Sequence, residues 1–144
     1  MQIWRLGVGD ERLAARTVRT LKAERVNYNY LDAFLKNETN VLLVALEGET
    51  PVGFALAYAL NRMDSPASMM LLYEIEVAES HRKQGAATAL IGALKDICRE
   101  RSMVKMWVLT NESNRAAMRT YESTGGELVE EDDLVMFSYP PEIF

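Results

Sequence analysis

The chain has 144 residues, 49% hydrophobic and 26% charged, with 16 basic against 21 acidic side chains and a formal net charge of −5. That length suits one domain burying roughly two-thirds of its unfolded surface, and with no repeat or linker we read residues 1–144 as a single domain. No basic stripe points to nucleic acid, no apolar run approaches the about 20 residues of a membrane span, and one His with one Cys argues against a zinc site or an internal disulfide.

Gln2 to Leu6 predicts a short edge strand. From Asp10, a candidate N-cap, the spacing of Leu13, Val18 and Leu21 predicts an amphipathic helix, and Tyr30 to Lys36 a second one. Val41 to Leu46 and Val52 to Leu60 are continuous apolar runs around Glu47-Gly48-Glu49-Thr50-Pro51, which reads as two strands covered on both faces and joined by a turn. A loop over Asn61 to Ala67 leads to a third long strand, Met69 to Ala78. Gln84 to Arg101 then sets Ala87, Leu90, Ile91, Leu94, Ile97 and Cys98 on one helical face. Val104 to Leu109 is strand-like, and Asn114 to Ser123 is helical with Gly125-Gly126 as its stop. Two final strands are expected over Glu127 to Glu130 and Leu134 to Tyr139. Three strands before the first crossover helix exclude a doubly wound nucleotide fold and imply a mixed sheet with helices on both faces. Met1 to Asp10 lacks the pattern of a secretory signal, and the lone Cys98 fits a reducing cytoplasm. Met69, Met70, Met103 and Met106 read as core filler.

The most informative stretch is His81-Arg82-Lys83-Gln84-Gly85-Ala86-Ala87-Thr88-Ala89-Leu90. A basic turn there joins a strand to a helix whose first amides are free and carry partial positive charge. Gly85, Ala86 and Ala87 leave room for an anion beside the backbone, and Arg82 and Lys83 add charge, so the segment suits a pyrophosphate. His81 is either a phosphate contact or plain surface. The stretch has neither the P-loop ending nor three glycines. Further on, Asn114, Ala117 and Tyr121 fall on one helix face. A phenol of pKa about 10 stays protonated at neutral pH and can supply a proton to a departing thiolate. Asn114 either caps that helix or touches a ligand, and Tyr121 could instead pack in the core beside Met118.

The pattern Arg82-x-x-Gly85-x-Ala87, followed by Asn114-x-x-Ala117-x-x-x-Tyr121, resembles the coenzyme A signature and tyrosine element of the GNAT superfamily of N-acetyltransferases. The resemblance implies an α/β (α+β) fold with a mixed, mostly antiparallel sheet of about seven strands. It implies acetyl-CoA as co-substrate, with the main chain of Ile75 and Val77 on pantetheine. Arg82 and the amides of Lys83, Gln84, Gly85, Ala86, Ala87 and Thr88 are expected at the pyrophosphate, with Asn114, Ala117 and Tyr121 also on the cofactor. Residues 30 to 95 look most like the small aminoglycoside 3-N-acetyltransferases, which implies acetylation of a 3-amino group. Those enzymes usually carry aspartate where Glu74 stands.

An attacking amine must first lose a proton. Glu74 and Glu76 face the same side of one strand, where mutual repulsion favours a general base. One of them is expected to pair with a helix residue, and Glu74 is the favoured base. Glu130-Glu131-Asp132-Asp133 reads either as a solvated hairpin or as the mouth of a cleft for a cationic amine, with Asp133 in contact. By resemblance, transfer is direct: Glu74 accepts the amine proton, an amide near Val77 holds the oxyanion, and Tyr121 protonates the thiolate. Cys98 reads as a structural thiol. Dimers are common in such proteins, and apolar Pro140 to Phe144 offer a surface for one. The alternatives are another amine acceptor, such as a polyamine or protein N-terminus, or a coenzyme-binding sensor without catalysis.

Overall fold

A computed structural model describes residues 1–129 and 135–144. Strand β1 (Gln2–Arg5) lies at the sheet edge, antiparallel to β2 (Asn40–Glu47), with Trp4 opposite Val44. Helix α1 (Glu11–Lys22) follows. Asp10 stands at its N-cap position, but the carboxylate accepts from Gly7 N at 2.8 Å and makes no bond to the helix. Helix α2 (Tyr28–Lys36) starts two residues before the expected Tyr30, because Asn27 Oδ1 caps it by accepting from Tyr30 N at 3.1 Å.

The continuous apolar runs are explained by two cores on opposite faces of one sheet. Leu42, Val44 and Leu46 face α1 and α2 and pack with Ala14, Ala15, Leu31 and Phe54. Val41, Leu43 and Ala45 face the other way, toward Leu90, Leu94 and Ile97 of α3 (Ala86–Glu100). Strand β3 (Thr50–Leu60) continues the sheet, and β4 (Met69–Val77) pairs antiparallel to it. Gly53 of β3 sits close to the next strand: a Cβ there would lie 3.1 Å from the Glu76 carbonyl oxygen, a tight contact. Met70 is fully buried, and Met103 and Met106 pack against the α3-side core.

Strand β5 (Met106–Val108) is shorter than expected and runs parallel to β4, giving the order β1-β2-β3-β4-β5. Helix α4 (Arg115–Ser123) follows, and its end is closed by Gly126 N donating to Tyr121 O at 2.8 Å. The mixed, mostly antiparallel sheet with helices on both faces agrees with the expectation, but among the described residues it has five strands rather than seven. Residues 127–129 and 135–139 form no strand, and Val135, Met136 and Phe137 are exposed. Their composition is strand-like, but composition alone does not supply the partner edge that a strand needs. Among the described residues, no helix is long and apolar enough to cross a membrane.

Candidate active site

The site begins where the sheet opens. Only Met70, Leu71 and Leu72 of β4 pair with β5, so from Tyr73 to Val77 that edge of β4 has no strand beside it among the described residues. Ala78 N donates to Val52 O at 2.8 Å, so by strand alternation Glu76 and Glu74 bond toward β3. Ile75 and Val77 therefore turn their main-chain groups into the opening. Arg82 Nε donates to Val77 O at 3.4 Å, which ties the basic turn back to the end of β4.

Beyond Val77 a single 3-10 turn, Glu79–His81, leads to the basic turn. Lys83 and Gly85 both take left-handed backbone, φ 62 and 87, so successive amides converge as in an anion-binding nest. Helix α3 starts at Ala86, two residues after the expected Gln84, because Gly85 serves as its N-cap. Its first backbone bond runs from Ala89 N to Gly85 O, and the amides of Lys83 to Thr88 find no acceptor among the described residues. Six free amides beside two cations are a donor set that fits a diphosphate. The Ala86 side chain is buried, so its amide is the part of the residue left for a ligand. His81 is tied down, with Nε2 at 2.7 Å from Glu47 Oε2 and Nδ1 at 2.8 Å from Ser80 Oγ.

On the α1–α2 face of the same strand lies a cleft of about 340 Å³. A bulge sets it up: Leu72 pairs with Ala57 and Glu74 with Leu56, leaving Tyr73 as the extra residue. Tyr73 stands 5.6 Å, ring to ring, from Tyr58, which lines the cleft with Glu74. Burial, with the neighbouring Tyr73, Tyr30 and Glu74, pushes the Tyr58 hydroxyl above its ordinary range. Lys22, the last residue of α1, donates from Nζ to Glu74 Oε1 at 2.7 Å and Oε2 at 3.0 Å. That hydrogen bond holds the Lys22 ammonium above the ordinary lysine value, and the charges of Glu74, Glu24 and Glu76 add to it. The carboxylate expected to pair with a helix residue is thus Glu74 itself, and the group touching it is an ammonium, not Glu76. The expected like-charge activation is replaced by an ion pair.

Tyr121 packs against the core on the α3 side, where burial raises its hydroxyl pKa. Glu74 therefore lines the α1–α2 face of the sheet and Tyr121 packs on the opposite one. Asn114 caps α4, its Oδ1 accepting from Ala117 N at 3.2 Å. Ala117 is partly buried. Cys98 is half-buried beside a shallow hollow with Met103 and Met106, its thiol pKa raised by burial, as suits a structural thiol. The Glu130 to Asp133 run, with Asp133, lies outside the described residues.

Sequence reasoning missed Lys22 and Tyr58. A lysine in a helix's last turn is indistinguishable from one placed to complement the helix dipole. Only the fold brings it to a carboxylate 52 positions away.

A model of the acetyltransferase (GNAT) family matches residues 10–125. The uncharacterized N-acetyltransferase YhfO of Bacillus subtilis (strain 168) is 30% identical over 98 residues, spanning 68% of this chain and 66% of that protein, just under two thirds of its length. An aminoglycoside acetyltransferase from an uncultured soil metagenomic sample is similar at 27% identity and a TM-score of 0.80, over 96% of this chain and 97% of that one. Another from such a sample, solved in complex with sisomicin, shares the fold at 22% identity and a TM-score of 0.85, over 96% and 95%. With the opened sheet and the amide-lined turn, the match over residues 10–125 establishes that the chain belongs to the acetyltransferase (GNAT) family.

Proposed function

We propose that this protein is an acetyl-CoA-dependent N-acetyltransferase acting on a small-molecule amine. The observation that carries the reading is the run of amides from Lys83 to Thr88 that have no acceptor among the described residues, next to the edge of β4 that has no strand beside it there and across the sheet from a cleft with a carboxylate in it. In this reading Arg82, Lys83 and the amides through Thr88 hold the pyrophosphate, and Ile75 and Val77 hold the pantetheine arm. When bound, acetyl-CoA supplies an acetyl group activated as a thioester. Glu74 accepts a proton from the incoming ammonium once Lys22 has moved away, leaving a neutral amine that can attack. The Val77 amide donates toward the acetyl carbonyl oxygen, where negative charge grows. Tyr121 Oη, kept protonated by burial, stands ready to protonate the departing sulfur. Ala117 leaves room beside it. The Asn114 carbonyl oxygen is committed to its cap, so only its amide nitrogen is free for the cofactor.

For the acceptor, the likeness to an aminoglycoside acetyltransferase at 27% identity supports an aminoglycoside, and the 3-amino position rests on the sequence resemblance alone. A second reading, an amine on an apolar body, is favoured by the cleft walls, among them Phe34, Leu42, Phe54 and Leu56. Thiol release from acetyl-CoA, measured over a panel of aminoglycosides, polyamines and simple amines, tests both. No turnover of any aminoglycoside removes that acceptor. A coenzyme-binding sensor without catalysis is separated by Glu74→Gln and Tyr121→Phe, which would leave its output intact.

A further inference from the structure

Lys22 is placed as a bound amine would be. Its Nζ sits between both Glu74 oxygens, at 2.7 and 3.0 Å, and its stem lies in the cleft. Both side chains keep contact with water, at 29% and 28% exposure, so water competes for the pair and its net contribution to stability is modest. The lysine closes α1, where Ala23 turns the chain left-handed at φ 55, so its flexible stem can withdraw to solvent without disturbing the core.

The charges of the cleft define what can replace it. Among the described residues its charged lining is Lys22 and Arg25 against Glu24 and Glu74, which sums to zero. With Lys22 withdrawn, one negative charge is left over. Within the described lining that single charge is met by a monocation. Phe34, Leu42, Phe54 and Leu56 give it apolar walls. Its volume, about 340 Å³, is at the low end of ligand pockets, about 300–1,000 Å³, and has room for one ring on a short chain rather than several linked sugars.

We propose that Lys22 is an internal stand-in for the acceptor: its ammonium occupies the substrate's position on Glu74, and the substrate is a primary monoamine with an apolar body that displaces it. The proposal rests on the acetyl-transfer reading above. Exchange of one ammonium for another keeps Glu74 paired throughout, whereas an uncharged acceptor cannot displace Lys22 and is refused.

The test is steady-state acetyl transfer to phenethylamine, n-hexylamine, spermidine and kanamycin by the wild type, Lys22→Met and Lys22→Arg, with CoA binding measured separately by calorimetry. We expect turnover of phenethylamine or n-hexylamine, a KM at least tenfold lower in Lys22→Met, and a KM within threefold of wild type in Lys22→Arg. If Lys22→Met fails to melt cooperatively, Lys22→Gln serves in its place. An unchanged or higher KM in the neutral variant makes the pair merely structural and overturns the proposal. So does acetylation of kanamycin with refusal of both apolar amines. CoA binding with no turnover of either apolar amine overturns this inference and leaves the coenzyme site standing; absence of CoA binding overturns both.

Discussion

At Tyr121 the sequence and the fold contribute different parts of one argument. The Asn114, Ala117, Tyr121 spacing located the tyrosine on a helix face, but only the packed structure gives its environment, a half-buried position on the α3-side core. Burial disfavours phenolate, so the folded-state pKa lies above the ordinary 10.0. The sign follows: the proton is present throughout the range below the unfolded value and is lost only as pH rises through the folded one. Tyr121→Phe should lower kcat by about 10²–10⁴, the usual contribution of a positioned general acid. The wild-type to variant ratio should stay flat from neutral pH to about 10 and fall only above it. Equal kcat for the two enzymes would make Tyr121 a packing residue. Glu74 was legible as a strand carboxylate in the sequence, whereas its partner was not, because no local pattern links residues in α1 and β4.

Periodicity revealed the elements wherever one pattern had one cause. The α3 face was legible because Leu90, Leu94 and Ile97 all rest on the sheet, and β2 and β3 because two cores cover them. Residues 135 to 139 depart from the same reading: their composition is strand-like, but strand formation needs a partner edge as well as a composition, and they form no strand. The helices differ in how they are held. Leu94 is fully buried, so Leu94→Ala should destabilise the whole domain by about 2–5 kcal/mol. Helix α4 buries no residue completely, so removing its cap with Asn114→Ala should cost roughly 0.5–2 kcal/mol. Urea melts followed by hydrogen exchange separate the two. Leu94→Ala should lower the global midpoint, and Asn114→Ala should chiefly speed exchange within residues 115–123. A global loss of equal size in both would show that α4 is integral to the core.

For the molecule as a whole, a single departure from regularity organises everything else. Among the described residues the β4–β5 pair stops at Leu72 and Val108, which leaves the main chain of Ile75 and Val77 without a strand partner between the Glu74 cleft on one face and Tyr121 on the other. The turn that follows supplies six free amides at the head of α3. The motif was legible in the sequence because a glycine with φ 87 and flanking cations leaves a local signature. The opening was not legible, because it depends on where β5 ends. Titration calorimetry of CoA into the wild type and Gly85→Ala tests this arrangement most directly. The wild type should bind CoA saturably at one site. The variant, whose Cβ opposes the left-handed turn by about 1–2 kcal/mol, should still melt cooperatively, a few degrees lower, and bind about tenfold more weakly. No heat at millimolar CoA, or equal affinity in the two proteins, would contradict the account.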